Sequence, residues 1–244
     1  MKHYLQSPNC LLASLPRADF DILGPHFRTV ELGQKQMLAA TGAQFSEVYF
    51  PHSGAISLVV NLSGGEAVEV AMIGRDGAFG VSAGLGGGIS LHDAIVQLPG
   101  TATIIDAKHL RRAVDRSGSL RTALVRNERL IFVQAQQSAA CNASHSVEAR
   151  LSRWLLRLRD LAGSDTLQLT QEYLAQMIGA KRNSVSHVAH LFQDAGLITY
   201  KRANIHITDV SGLMQRSCEC YAVVLRQTED IMGTSIPPHG LSAA

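Results

Sequence analysis

The feature that most constrains this fold is a change in the hydrophobic period near Asp106. From Val48 to about Asp106, apolar and polar side chains alternate, and clusters of Gly, Pro, Ser and Asp separate the runs. This alternation is typical of short β-strands joined by turns. Beyond Asp106 the apolar side chains recur at helical intervals. The pattern predicts a small antiparallel roll followed by helices, with short helical segments from Leu11 to Phe27 before the roll.

Two runs define the predicted strands most clearly. In AISLVVNL four apolar side chains share one face, with Ser57 and Asn61 on the other, and AVEVAMI repeats the alternation. The shared faces hold Ile56, Leu58, Val60 and Leu62 in the first run and Val68, Val70 and Met72 in the second.

Composition favours a globular protein with two domains. The chain has 244 residues, of which 46% are hydrophobic and 17% charged, as in ordinary soluble proteins. The net charge of +2 means that any basic surface must be local. No membrane span and no signal peptide are expected, because the apolar runs are too short. The four cysteines are too sparse for a disulfide framework, so we expect a cytoplasmic protein.

A long helix of about 25 residues is expected after the roll, with its apolar residues in a narrow seam. A second copy of the chain is the simplest partner for such a seam, although the helix could instead pack on the roll. The seam residues are Leu120, Leu124, Ile131, Ala135 and Ser138.

These patterns predict an α+β fold in three parts. They are a β-roll sensor domain (1–118), a dimerisation helix (119–145) and a winged helix-turn-helix domain with a C-terminal helix (146–244). Ser146 is expected to cap the first helix of the third part. The apolar stripe of that helix holds Trp154, Leu155, Leu158 and Leu161.

The stretch LTQEYLAQMIGAKRNSVSHVAHLFQDAGLI predicts two helices joined by a sharp turn. Thr170 caps the first helix, and Gly179 can take the positive φ that turns the chain. The second helix ends at Gly196, and two short strands joined at KRAN follow as a wing. We expect Tyr173, Leu174, Met177 and Ile178 to be buried in the first helix, and Val185, Val188, Leu191 and Phe192 in the second.

The opposite face of the second helix has the chemistry for DNA. An arginine can donate two hydrogen bonds to guanine and an asparagine can pair with adenine in the major groove. The expected base contacts are Arg182, Asn183, Ser186 and His187. Hydroxyl and basic side chains suit phosphate oxygens, which position a helix without reading sequence. The expected phosphate contacts are Thr170, Lys181, Ser184, His190, Lys201 and Arg202. The alternative is a solvated face on a winged helix that binds protein.

This stretch, behind a roll and a long helix, resembles the Crp/Fnr family of bacterial transcription regulators. The resemblance covers roughly Asn9 to Val210, and NCLLASLP and VYFPHSGAISLVV look like a branch common among its proteobacterial members. It implies a cyclic-nucleotide-binding-like β-roll, a dimerising helix and a winged helix that binds DNA. It also implies homodimers on two-fold symmetric operators and contact with RNA polymerase.

The recognition helix keeps only part of the family pattern, which is Arg-Glu-Thr-Val-x-Arg. Arg182 matches the first arginine, so it is expected to contact guanine. Asn183 replaces the glutamate that accepts from cytosine, which predicts adenine at that operator position. His187 replaces the second arginine and would be a weaker, pH-sensitive contact.

The sensor pocket departs further from the family. Cyclic-AMP-responsive members use a glutamate for the ribose and an Arg-Ser/Thr-Ala segment for the cyclic phosphate. Alignment places Gly80 and Val81 at the first site, and His92, Asp93 and Ala94 at the second. Val81 cannot accept a hydrogen bond and Asp93 would repel an anion, so cyclic AMP is not expected to bind. Cys10 is the sole N-terminal cysteine, so the family's iron–sulfur cluster is not expected either.

Four other motifs are not expected to have the function that their pattern suggests. Gly80–Gly84 matches the G-x-S-x-G nucleophile elbow, but the glycines after Leu85 start a helix poorly, so we predict no enzyme. GLGGG lacks the Lys-Ser/Thr of a P-loop. Cys218 and Cys220 would point apart on one helix, so no metal site is predicted. His187 and His190 could also hold a metal, but DNA contact fits their position better.

The sequence therefore predicts a homodimeric, DNA-binding transcription regulator with a degenerate effector pocket and no cofactor. The alternative is an effector-sensing module that acts through protein contacts without binding DNA. A small apolar or redox effector, or control by abundance alone, all remain open.

Overall fold

The computed structural model describes residues 7–233. The chain forms two compact units, and each draws on separate segments of the sequence. Among these residues, the first unit holds 7–58 together with 72–132, and the second holds 59–71 together with 133–233.

The first unit begins with the short helical segments expected from the sequence. They are α1 (Cys10–Ala13), α2 (Arg17–Leu23) and a 3-10 turn (Gly24–His26). Asn9 caps α1, since its side-chain oxygen accepts from the Leu12 amide at 3.1 Å. The same side chain donates to the carbonyls of Pro51 at 2.9 Å and Gly77 at 2.8 Å, which ties the helix to the roll.

Seven strands form the predicted roll as two sheets, ordered β1-β7-β3 and β2-β6-β4-β5. The pairs β1–β7, β3–β7 and β2–β6 are antiparallel. The strands are β1 (Arg28–Leu32), β2 (Met37–Ala39), β3 (Glu47–Pro51), β4 (Ala55–Asn61), β5 (Ala67–Ile73), β6 (Asp93–Leu98) and β7 (Gly100–Asp106). A core cluster joins strands of both sheets through Leu32, Val96, Ala102 and Ile104.

The apolar faces expected for β4 and β5 are buried only in part, at Ile56, Leu58 and Met72. The start of β4 is covered on both sides, because Ser57 and Val59 are as buried as Ile56 and Leu58. At its end, Val60 and Leu62 are 39% and 53% exposed. In β5 the buried side holds Ala67, Glu69 and Ala71, whereas Val68 and Val70 are only half-buried.

Two helices follow the roll. Asp106 caps α4 (Ala107–Val114) by accepting from the Lys108 amide at 2.7 Å. The long helix is α5 (Gly118–Ser144), close to the length expected.

The first half of the predicted dimer seam lies inside the chain's own core. Leu120 and Leu124 are each 1% exposed, and Leu124 Cδ1 lies 3.1 Å from where a Cβ on Gly84 would stand. These two leucines therefore cannot face a second copy, which corrects their assignment to the seam. The large apolar side chains that α5 leaves exposed are Val125 (44%) and Phe132 (62%).

The second unit holds the expected helix-turn-helix and wing. Its elements are α6 (Val147–Ala162), β8 (Thr166–Gln168), α7 (Gln171–Met177), α8 (Arg182–Asp194), β9 (Ile198–Lys201), β10 (Asn204–Ile207), α9 (Val210–Arg216) and α10 (Cys220–Met232). Ser146 caps α6 as expected, since its hydroxyl accepts from the Ala149 amide at 3.3 Å. Trp154, Leu155, Leu158 and Leu161 are all buried on α6.

The segment containing Cys218 and Cys220 is not one helix. α9 ends at Arg216, and Ser217 has an extended backbone with ψ at 151°. Cys218 lies in the connection and Cys220 is the first residue of α10. The argument that the two side chains point apart on a helix is therefore wrong, because no helix spans both residues.

None of the helices in the described part of the chain has the length and apolarity that a membrane crossing requires.

Candidate nucleic-acid interface

The helix-turn-helix is built from α7, a turn at Gly179 and α8. Thr170 caps α7, since its hydroxyl accepts from the Tyr173 amide at 3.2 Å. Gly179 has φ of +60°, the left-handed conformation that the turn was expected to need. The buried side of α8 holds Val185, Val188, Ala189 and Phe192. Leu191, expected to be buried, is 41% exposed because it lies beside this stripe.

The face of α8 away from this stripe carries the predicted DNA-contacting residues. Arg182, Asn183, His187 and His190 are all exposed, and they recur at the spacing of one helical face. Lys181 and Thr170 are exposed beside the start of the helix. Ser184 and Ser186 are half-buried, so less of each side chain is available.

Ser186 already has a partner on the neighbouring helix. Its hydroxyl donates to Gln171 Oε1 at 2.6 Å, which fixes the start of α7 to the second turn of α8. The hydroxyl therefore keeps only acceptor capacity for a base. Gln171 was not among the predicted site residues, because hydrophobic periodicity does not indicate a hydrogen bond between two helices.

Arg182 is exposed but not unpaired. Its Nη1 lies 3.2 Å from Glu172 Oε2, and the two side chains are 65% and 71% exposed. An exposed pair of this kind is worth at most about 1 kcal/mol, so the guanidinium can leave it for a stronger partner. Glu172 lies in the first turn of α7, where the helix dipole favours an acidic residue.

The wing is a tight hairpin anchored to the recognition helix. Arg202 and Ala203 form its two-residue turn, with φ of 48° and 66°, as a type I′ turn requires. Lys201 and Arg202 are exposed at this tip. Gln193 of α8 accepts a hydrogen bond from the Tyr200 amide at 3.1 Å, which fixes the position of the wing relative to α8.

Residues 59–71 pack against these helices within the second unit. Trp154 Nε1 donates to the buried carboxylate of Glu69 at 2.8 Å. Burial, and after it the charge of Glu69, raise the pKa of Tyr173. A cavity of about 650 Å³ is lined by Glu66 and Val68 on one side and by residues including Arg182 on the other.

The residues expected in the effector pocket lie in the first unit, and most have structural partners. Val81 and Ala94 are fully buried. Asp93 Oδ1 accepts from the amide and the hydroxyl of Thr41, at 2.7 and 3.0 Å. Gly80 has φ of +85°, and a Cβ there would lie 3.0 Å from the Glu47 carbonyl oxygen.

His92 is the exception in this group. Its Nε2 is buried and lacks a hydrogen-bond partner among residues 7–233. Burial lowers the pKa of His92, and the charge of Asp93 offsets this in part. Its ring lies 6.3 Å from that of Phe79 in an edge-to-face arrangement.

Ser82 does not have the setting of a nucleophile elbow. The motif requires a strand before the serine and a helix after it. Here the residues before it form only an isolated bridge between Phe79 and Tyr49. A helix of four residues, α3 (Ser82–Leu85), follows and ends at Gly86, whose φ is +103°.

Two family models match separate parts of the chain. Residues 29–117 match the cyclic nucleotide-binding domain, and residues 149–216 match the Crp-like helix-turn-helix domain. No curated protein matches the chain in sequence.

Three solved structures have the same fold, and two of them are of transcriptional regulators. FixK2 from Bradyrhizobium japonicum superposes with a TM-score of 0.67 at 15% identity, over 79% of this chain and 98% of that chain. TTHB099, a CRP family transcriptional regulator from Thermus thermophilus, gives 0.63 at 19% identity, over 86% and 99%. TTHA1359, a CRP/FNR family transcriptional regulator from the same organism, gives 0.64 at 18% identity, over 78% and 98%.

Proposed function

This chain belongs to the Crp/Fnr family of transcription regulators, and we propose that it acts as a homodimer on a two-fold symmetric DNA operator. The observation that carries this proposal is the exposed polar face at the start of α8, with Arg182, Asn183 and His187 on it. An α-helix fits the major groove, and its N-terminal residues are the ones that reach base edges.

Each base contact has a distinct role. Arg182 leaves its exposed pair with Glu172 and donates two hydrogen bonds to guanine O6 and N7. Asn183 pairs with adenine N6 and N7, and His187 contacts the next base along the groove. Ser186 is the weakest of the four, because its hydroxyl hydrogen is donated to Gln171.

Phosphate contacts hold the helix in register on both sides. The exposed tip of the wing, with Lys201 and Arg202, reaches one backbone strand. The remaining contacts come from the start of α7 and from α8, where exposed or half-buried side chains offer N–H and O–H donors. They are Thr170, Lys181, Ser184 and His190.

Dimerisation uses the exposed side of α5 rather than the seam first expected. Val125 and Phe132 are separated by seven residues, so they lie on one face of the helix as in a coiled coil. Ile131 and Ala135 are half-buried and can complete the contact, whereas Ser138 is only 6% exposed. A two-fold pair of α5 helices would present two recognition helices to half-sites about 34 Å apart.

We propose that the sensor domain responds to an effector other than cyclic AMP. Val81, which aligns with the family's ribose-binding acid, is fully buried. Asp93, which aligns beside the phosphate position, would repel an anion and accepts a hydrogen bond from the Thr41 amide. RNA polymerase remains the proposed protein partner. A protein that acts on chromosomal DNA must share its compartment, so a cytoplasmic location is part of this proposal.

Selection of preferred sites from random DNA, with wild type beside Arg182→Ala, tests the proposal. Wild type should select a two-fold symmetric site containing guanine, with binding that weakens as salt rises. Arg182→Ala should lose about 1–3 kcal/mol per half-site and relax the preference at one position. Arg116→Ala removes an exposed arginine outside the second unit and should bind like wild type. Absence of any selected sequence, with no salt dependence, would refute the proposal.

A further inference from the structure

Four side chains with metal-binding atoms converge in the second unit, away from the recognition face. Cys141 lies in the last turn of α5 and His145 directly follows the helix, with its amide donating to the Cys141 carbonyl at 3.0 Å. Cys218 lies in the connection between α9 and α10, and Cys220 begins α10. Two stretches that are far apart in sequence thus bring three thiols and one imidazole together.

The distances match a tetrahedral metal site. The three sulfurs and the ring nitrogen all lie within 4.8 Å of one another. Cys141 Sγ is 3.5 Å from Cys218 Sγ, and Cys220 Sγ is 3.5 Å from His145 Nδ1. Zinc bound by sulfur at about 2.3 Å and nitrogen at about 2.0–2.1 Å requires ligand separations of about 3.5–3.8 Å. Small side-chain rotations therefore suffice to close the site.

Neighbouring groups already orient these side chains as they do around bound metals. His145 directs Nδ1 toward Cys220, while its Nε2 lies 3.3 Å from Glu219 Oε2. A carboxylate on the far nitrogen fixes the ring and makes the other nitrogen a better ligand. Gln137 Nε2 donates to Cys220 Sγ at 3.0 Å, which supports a thiolate there.

We propose that Cys141, His145, Cys218 and Cys220 bind one zinc ion in a closed structural site. Thiolate and imidazole ligands in tetrahedral geometry select zinc among the common divalent ions. Cys141 and Cys220 are fully buried and Cys218 is 9% exposed, so four protein ligands leave no open position for a substrate. The ion would join the end of α5 to the start of α10.

Two simpler states compete with this assignment. Buried cysteines can be inert, but inert cysteines do not account for an imidazole held by Glu219 and aimed at a thiol. A disulfide between Cys141 and Cys218 would need their sulfurs at about 2.05 Å instead of 3.5 Å. It would also leave Cys220 and His145 without a role.

The first test is the metal content of the purified full-length protein after exhaustive dialysis. Wild type should retain one zinc per chain, and Cys141→Ser and Cys220→Ser should retain well under one. Cys10→Ser is the matched control, since Cys10 lies in the first unit and should leave the content at one. A wild-type content well under one after growth in zinc-supplemented medium would overturn the assignment, as would a Cys141–Cys218 disulfide in the peptide map.

Cobalt substitution of wild type provides a second readout that does not depend on a variant folding. Cobalt(II) in this site should give intense visible bands of tetrahedral geometry together with thiolate-to-metal charge transfer. Weak octahedral bands without charge transfer would contradict the ligand set. Both measurements use protein without DNA, so failure of the proposed operator binding would leave them unaffected.

Discussion

The start of α8 and the nucleotide-like pocket both contain residues that differ from the family pattern. These residues are exposed in α8 and buried in the pocket. Asn183 and His187 replace family residues on an exposed helix face. Val81 replaces a family residue in the nucleotide-like pocket, and both Val81 and Ala94 are fully buried. Exposed polar residues can change with little effect on packing, whereas a buried position becomes part of the core. If the proposed function holds, substitutions at the start of α8 can change the operator preference without repacking, whereas an acidic side chain at position 81 would have to be accommodated in the core.

The largest expected effect is on stability. It tests whether the start of α8 and the nucleotide-like pocket belong to units that unfold separately. Trp154→Ala should destabilise the second unit by about 3–5 kcal/mol, because it opens a cavity and leaves the Glu69 carboxylate without its indole donor. Calorimetry should show one transition lowered. Phe50→Ala, at an equally buried site in the first unit, should lower the other transition. If both variants lower a single shared transition, the two units unfold as one block and the comparison fails.

A smaller effect tests whether an exposed position can change without consequence for the fold. Asn183→Glu should shift the preference at one operator position from adenine to cytosine, by about 1–3 kcal/mol, because a carboxylate accepts from cytosine N4. Competition binding on paired operators would measure it. Melting should be unchanged, since Asn183 is exposed. Loss of stability with no change in preference would show that Asn183 serves the fold.

The buried His92 in the nucleotide-like pocket predicts that the stability of the first unit depends on pH. Burial lowers the pKa of His92 in the folded state, so the unfolded chain binds the proton more readily below its ordinary pKa of about 6.5. This contribution to stability is fully present above about pH 6.5 and declines as the pH falls through and below that value.

Urea denaturation between about pH 5 and 7 would measure the slope of the unfolding free energy of the first unit against pH. His92→Gln should reduce it without abolishing it, because burial also lowers the pKa of His52 in the same unit. An unchanged slope in His92→Gln would mean that the ring is protonated as easily in the folded state as in the unfolded chain.

The smallest effect concerns the ion pair at the interface. Glu172→Gln should strengthen DNA binding by less than about 1 kcal/mol, because it frees Arg182 and removes a negative charge near the phosphates. Titration at low salt would detect this. Glu148→Gln breaks a comparable pair with Arg216 and should leave affinity unchanged. Weaker binding in Glu172→Gln would show that the pair positions Arg182 rather than competes for it.

Periodicity and capping residues predicted most of the second unit. Ser146 and Thr170 cap helices, Gly179 turns the chain, and the wing follows α8, because each of these signals is local. The assignment of Leu120 and Leu124 failed for a different reason. A narrow apolar seam shows that a helix is covered, but it does not show whether its own chain or a second copy covers it.

The local sequence patterns did not predict contacts between segments that are far apart in sequence. The pair of Arg182 with Glu172 joins two helices, and the thiol cluster joins the end of α5 to the region where α10 begins. The cluster was also hidden by an assumed continuous helix through Cys218 and Cys220, which Ser217 interrupts. The spacing of Cys141 and His145 was the available local signal, since residues four apart in a helical stretch are neighbours.

The interleaving of segments has a practical consequence for any attempt to divide this protein. Glu69, which holds the indole of Trp154, comes from a stretch enclosed on both sides by sequence of the first unit. A fragment starting at residue 133 would leave that indole without its acceptor and expose the surface that residues 59–71 cover. Limited proteolysis should accordingly release no stable C-terminal piece, even though the winged helix matches a recognised domain by itself.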